Sequence, residues 1–258
     1  MNVFIMADME GISGICRSSQ VKPDGVDYQS ARRYLTYDVN ACIDGCFAGG
    51  AKKVVVRDAH SFGFHFIWDE LDARAEYIQG ASPLERIPDI QNYDGLILLG
   101  YHAMAGTPQA ILEHTMNSKA WQNFTMNGRK CGEIAIDAGI AGDYNVPIIM
   151  VSGDDKLCKE VRRFLKGTLT AQVKKGFDVE GGKLLSKNCA HDLIRETARK
   201  AVASCKKIKP YKVKSPVTMR VEVVSRIKLP FGNKNVKIID GRTYEVSGSN
   251  VEETLKLL

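Results

Sequence analysis

Three short apolar runs, Val3 to Ala7, Val54 to Val56 and Leu96 to Leu99, constrain this chain most. They are too short for core helices and read as buried strands. Between the first two, Ala31, Leu35, Val39, Cys42 and Cys46 fall on one apolar stripe. That stripe predicts a helix from about Ser30 to Phe47, ended by Gly49-Gly50. Strand, helix and strand in this order form a βαβ unit, which requires a parallel pair with a right-handed crossover.

Parallel α/β sheets bind ligands outside the carboxyl ends of their strands. Here the strands stop at metal-type ligands. The first runs into Asp8-Met9-Glu10-Gly11, the second into Asp58-Ala59-His60 and the third into Gly100-Tyr101-His102. Residues two apart on a strand project the same way, so Asp8 and Glu10 point together. Two such carboxylates repel unless a cation lies between them.

Further along, Tyr77-Ile78 reads as a short strand and Trp68 to Leu71 as a short helix. Asn127-Gly128 between two strand-like runs is a strong hairpin signal. A small-residue helix is predicted from Glu133 to Gly142, and a fourth strand from Val146 to Val151 ends in Gly153-Asp154-Asp155. His65, between Phe64 and Phe66, reads as a packed or exposed side chain and not as a ligand. After residue 155 the pattern changes. A helix is predicted from Lys156 to Leu165, a strand from Thr168 to Lys174 and a long helix from Leu184 to Lys206. Strands follow at Val217–Val224, Val236–Ile239 and Thr243–Val246, with a final short helix capped by Ser249 or Asn250. The expected fold is α/β: a mainly parallel sheet flanked by helices and carrying the metal site in residues 1–155, plus a smaller α+β domain in residues 156–258.

Charge divides along the same line. Residues 1–150 hold 12 Lys and Arg against 18 Asp and Glu, and the remainder hold 24 against 12. An acidic half suits cation binding. The basic run Lys206, Lys207, Lys209, Lys212 and Lys214 has Tyr211 as its sole interleaved aromatic, so it reads as a solvated connector, and no nucleic-acid partner is expected. The 7 cysteines include no CxxC pair, which favours buried thiols in a reducing cytoplasm over a disulfide framework. No stretch reaches the length of a membrane span, and the first apolar run is too short for a signal peptide. The expected location is therefore cytoplasmic, with no membrane partner.

The candidate ligands are Asp8, Glu10, Asp58, His60 and His102, with Asp154 and Asp155 at a fourth strand end, Glu133 opening a helix and His114 on a loop. A carboxylate–imidazole set without cysteine suits Zn²⁺, Mn²⁺, Co²⁺ or Fe²⁺. More than four candidates points to two metals sharing a bridging carboxylate, the arrangement of peptide and phosphoester hydrolases. Asp58 reads equally as a turn aspartate or as an acceptor orienting a ligand imidazole.

Asp8-Met9-Glu10-Gly11-Ile12-Ser13-Gly14, Asp58-Ala59-His60-Ser61, Gly100-Tyr101-His102-Ala103, Thr107-Pro108 with His114, and Gly132-Glu133 together resemble the D-aminopeptidase DppA family, peptidase family M55. The match runs in order over residues 1–155; beyond it the resemblance is one of size and element order. The resemblance implies a zinc-dependent aminopeptidase that releases N-terminal D-amino acids from short peptides through water activated by two metals. It implies two Zn²⁺ per subunit, with Mn²⁺ or Co²⁺ as substitutes. The implied ligands are Asp8, Glu10, His60, His102 and Glu133, with Asp8 as the bridge. His114 is the implied catalytic histidine outside the ligand set, and no other cofactor is expected. A ring-shaped homodecamer with sites facing an inner channel is implied as well. On the residues alone, a two-metal hydrolase of a different amide or a phosphoester stays open. So does a binding protein with a structural ion, although His114, a base beyond the ligands, argues against it.

Overall fold

The computed structural model describes residues 1–81, 85–225, 229–230 and 232–258. The chain runs β1 (Asn2–Ala7), α1 (Tyr28–Ala48), β2 (Lys53–Asp58), β3 (Glu76–Ile78), β4 (Gly95–Leu99), β5 (Trp121–Met126), β6 (Arg129–Lys130), α2 (Glu133–Asp143) and β7 (Ile148–Asp154). It continues through α3 (Asp155–Phe164), β8 (Leu169–Asp178), β9 (Gly181–Leu184), α4 (Lys187–Ser204), β10 (Val217–Val223), β11 (Val236–Ile238), β12 (Thr243–Gly248) and α5 (Val251–Leu255).

The larger sheet has the order β3-β2-β1-β4-β7-β8-β9, parallel throughout except for the final β8–β9 pair. β1 lies near its middle, between β2 and β4. Its alternate residues feed different cores. Val3, Ile5 and Ala7 pack with α1 and α4 on one face, and Phe4 and Met6 pack with α2, α3 and the second sheet on the other. Burial on both faces is why the run is continuously apolar. The predicted stripe on α1 is fully buried. Where α1 crosses α4, a Cβ on Gly45 would fall 2.2 Å from the Arg195 carbonyl oxygen, so glycine permits the close approach. The second sheet, β11-β12-β10-β5-β6, is antiparallel and includes the hairpin predicted at Asn127-Gly128, where both residues have positive φ.

The helix expected from Leu184 begins instead at Lys187, because Gly181–Leu184 turns back as β9 onto β8. The Gly181-Gly182 pair is a turn signal that prevails over the helical pattern beyond it. Both sheets take strands from either side of the expected 155/156 boundary: β8 and β9 extend the parallel sheet, and β10 pairs with β5. Among the described residues, no helix is long and apolar enough to cross a membrane.

Candidate active site

The carboxyl ends of β1, β2 and β4 lie side by side, so the residues that follow them meet at one edge of the sheet. Each strand end is locked by backbone bonds. The Asp8 N–H donates to Leu99 O at 2.9 Å, Ala59 N–H to Ala7 O at 2.8 Å, and Gly11 N–H to Gly100 O at 2.7 Å. Gly11 passes so close to β4 that a Cβ there would lie 1.9 Å from the Tyr101 carbonyl oxygen. This contact, and not a positive φ, is why the turn after Glu10 needs glycine.

Two ligand groups result, each with its donor atoms within 4.8 Å of one another: Asp8, Glu10 and His60, then His102, His114 and Glu133. Asp8 joins them. Its Oδ1 is 3.0 Å from His60 Nδ1, and its Oδ2 is 3.4 Å from His102 Nε2, which is also 3.4 Å from Glu133 Oε1. Each of these three histidines turns one nitrogen outward to a carbonyl. His60 Nε2 donates to Val21 O at 3.0 Å, His102 Nδ1 to Ala103 O at 3.1 Å and His114 Nδ1 to Leu112 O at 2.9 Å. A carbonyl can only accept, so each proton sits on the outer nitrogen and the inner nitrogen faces the carboxylates. That is how metal-binding imidazoles are held.

The electrostatics also call for a cation. Burial alone would lower the His102 imidazole, but Glu133, Asp8 and Glu10 outweigh it and push it up to about 10. His60 is likewise raised well above its ordinary value, burial being overcome by Glu10 and Asp8. Burial would raise Glu133, yet His102 brings it down to about 2, and His60 holds Glu10 well below the carboxylate range against the same opposition. Glu10 Oε2 is fully buried and accepts no hydrogen bond, although His60 Nδ1 is only 3.1 Å away. An orphaned carboxylate oxygen beside an imidazole nitrogen, with no cysteine in either group, fits a divalent metal of the zinc type.

A cavity of about 600 Å³ opens onto both groups. Arg86, Lys22 and Lys119 line it as well. His114 stacks on His102, ring centroids 3.9 Å apart, with its Nε2 3.9 Å from Glu133 Oε1.

Three sequence candidates lie elsewhere. Asp58 accepts from His65, from the backbone N–H at 2.6 Å and from Nδ1 at 3.0 Å, whereas the His60 ring nitrogens face Asp8, Glu10 and Val21 O. Asp58 acts one ring removed, because His65 packs edge-on against His60 at 4.8 Å. His65 is thus packed, one of the two placements expected, and lies outside both ligand groups. Asp154 caps α3 through Lys156 N and Leu157 N and also accepts from Ile111 N. Asp155 accepts from Lys156 Nζ and Gly176 N.

Sequence reasoning missed two buried groups, Lys174 and Glu160, and the half-buried Arg86. The Lys174 ammonium donates to the carbonyls of Glu10, Ile12 and Ile15 at 2.5, 2.9 and 2.7 Å, clamping the turn after β1. Burial lowers it to about 8, with Asp154 and Asp38 pulling the other way. The Glu160 carboxylate accepts from Met104 N at 2.9 Å beneath the loop after His102. Arg86 pairs with Asp137, which also accepts from the Tyr101 hydroxyl at 2.6 Å.

The family model of D-aminopeptidases, Peptidase M55, matches residues 1–258. A curated relative, the D-aminopeptidase of Bacillus subtilis, is 33% identical over 212 residues, 81% of this chain and 77% of the relative. A solved structure, that of the Zn-dependent D-aminopeptidase DppA from Bacillus subtilis, a self-compartmentalizing protease, superposes with a TM-score of 0.93 at 28% identity. It spans 100% of this chain and 95% of that one.

Proposed function

The chain belongs to peptidase family M55, the D-aminopeptidases, and from that membership we propose that it releases N-terminal D-amino acids from short peptides in this cavity, with zinc bound there. The observation that carries the reading is the pair of ligand groups, whose inner imidazole nitrogens and orphaned Glu10 oxygen converge with nothing but one another to satisfy them. We assign two Zn²⁺ per subunit to Asp8, Glu10, His60, His102 and Glu133, with Asp8 shared. Bound there, zinc supplies Lewis acidity that activates a water and polarises the scissile carbonyl.

The chain's own residues do the rest. His114 keeps its Nδ1 proton on Leu112 O, which leaves Nε2 as the acceptor facing the cavity. From there His114 takes a proton from the attacking water and returns it to the leaving amine. Its stacking on His102 fixes where that nitrogen points. The buried carboxylates give the substrate's free α-ammonium a partner, which accounts for action at the N-terminus. All of these groups come from residues 1–155, so the proposed division from residues 156–258 is one of roles. The earlier part supplies the chemistry and the later part supplies supports such as Lys174.

By the same family reasoning, the subunit assembles into a ring-shaped homodecamer. For its location we propose the cytoplasm: Cys42 and Cys46 are buried one turn apart on the apolar face of α1, which suits thiols in a reducing compartment. Metal analysis paired with hydrolysis of D- and L-aminoacyl peptides tests the function. About two zinc ions per chain and chelator-sensitive release of D-residues is the expected result. His114→Ala should keep its metal and lose turnover. Two metals with no peptide turnover would move the site to another amide or a phosphoester.

A further inference from the structure

We propose that Arg86 binds the free α-carboxylate of the peptide, making the enzyme selective for peptides that end one residue beyond the scissile bond. This rests on the aminopeptidase reading and adds to it a residue that selects the far end of the substrate.

The guanidinium is fixed before any substrate arrives. Its Nε donates to Asp137 Oδ1 at 2.5 Å and its Nη2 to Asp137 Oδ2 at 3.1 Å. Asp137 is itself fully buried and held by Tyr101, and the Arg86 backbone N–H donates to Glu252 Oε1 at 2.7 Å. These bonds leave Nη1 without an acceptor among the described residues. The side chain stays 19% exposed and lines the cavity. A residue present only to neutralise Asp137 needs no donors turned to the cavity. A planar fork with free donors is the geometry that receives a carboxylate.

Its position sets the reach. Nη2 lies 3.6 Å from Glu133 Oε2, at the border of the second ligand group. In a dipeptide, the scissile carbonyl carbon and the terminal carboxyl carbon are separated by three bonds of about 1.3, 1.5 and 1.5 Å. A carbonyl held between the ligand groups therefore puts the carboxylate of a dipeptide beside Arg86. Longer peptides carry theirs past it.

The charge at the mouth agrees. Lys22 and Lys119 are exposed, line the same cavity and form no ion pair among the described residues. Asp24 is the one acid of the lining outside the ligand groups. An incoming carboxylate thus meets three cations, of which only Arg86 is half-buried and held in place by hydrogen bonds.

The test compares D-alanyl-glycine with D-alanyl-glycinamide on the zinc-loaded enzyme, and titrates calorimetrically the two corresponding isosteres with a methylene-amine in place of the scissile amide. Hydrogen bonds to charged groups support a preference for the free acid of about tenfold or more in kcat/KM. Arg86→Gln should bring the acid-to-amide ratio close to one. Arg86→Lys retains the charge opposite Asp137 but lacks the fork, and should fall between. If the glutamine variant does not fold, the lysine variant and the wild-type ratio still decide. A wild-type ratio near one would overturn the proposal. So would Arg86 variants that slow acid and amide equally, which would assign Arg86 to the oxyanion. If neither peptide is cleaved, the aminopeptidase reading fails, and the isosteres still decide the role of Arg86: acid-selective binding supports it and equal binding overturns it.

Discussion

Lys174→Met tests whether the turn carrying Glu10 is held from across the sheet. Methionine keeps roughly the length and volume of the lysine and removes all three donors. The carbonyls of Glu10, Ile12 and Ile15 then lose their Lys174 partner inside the protein. Ile12 O keeps the Ile15 N–H at 3.3 Å, so two acceptors are left bare. At about 1–3 kcal/mol each, they cost about 2–6 kcal/mol. Against this, the folded state no longer carries a buried charge. The ammonium is lowered from 10.5 to about 8, a penalty of about 3 kcal/mol that the variant escapes. The difference centres on about 1 kcal/mol of lost stability. Urea denaturation of the metal-free protein at pH 7 reads it directly. Zinc affinity is the second readout, measured by competition with a chromophoric chelator. Removing a group that orients a ligand typically costs 10- to 100-fold, and about tenfold or more is expected here. A variant at least as stable as wild type that also binds zinc within twofold of it would refute the clamp.

Glu160 predicts a pH effect of the opposite kind. Burial raises its carboxyl to about 7, so the stability it contributes is fully present below 4.5 and is lost as pH rises through about 7, a change of about 3 kcal/mol. Glu160→Gln should flatten this decline, and urea midpoints from pH 5 to 8 for both proteins check it. Gly11→Ala forces a Cβ to within 1.9 Å of the Tyr101 carbonyl oxygen, where only backbone can yield. A loss of more than about 3 kcal/mol is expected, and a thermal midpoint unchanged from wild type would contradict it. Stripping zinc from a protein saturated at about 100 times Kd removes about 2.7 kcal/mol, so chelation should lower the melting temperature by about 5–10 °C.

The ligand groups were legible because they obey a simple geometry. Asp8, Glu10, His60 and His102 follow buried strands, and a parallel sheet brings such positions to one edge. The same logic misjudged Asp154 and Asp155. α3 follows β7 with no intervening loop, so Asp154 is used up capping its first turn. Lys174 was hidden by a bulge. Strict alternation puts it on the exposed face with Gln172, but the register shifts between Gly153 and Asp154 and Lys174 turns inward beside buried Val173. Arg86 lies in a stretch with no period and left no trace that pattern reading detects. Glu160 sits on the buried side of α3 beside Leu157 and Val161, where only the fold shows that a carboxylate faces the Met104 loop.

The Lys174 clamp has a consequence for the order in which the protein matures. Every proposed zinc ligand has left the ribosome by the time residue 133 emerges, yet the turn bearing Glu10 acquires its clamp only when β8 enters the sheet. A nascent chain therefore carries the full set of donor atoms well before it can hold them in place. Stable metal capture belongs after translation of β8, and a stalled or truncated product should be a poor competitor for cellular zinc.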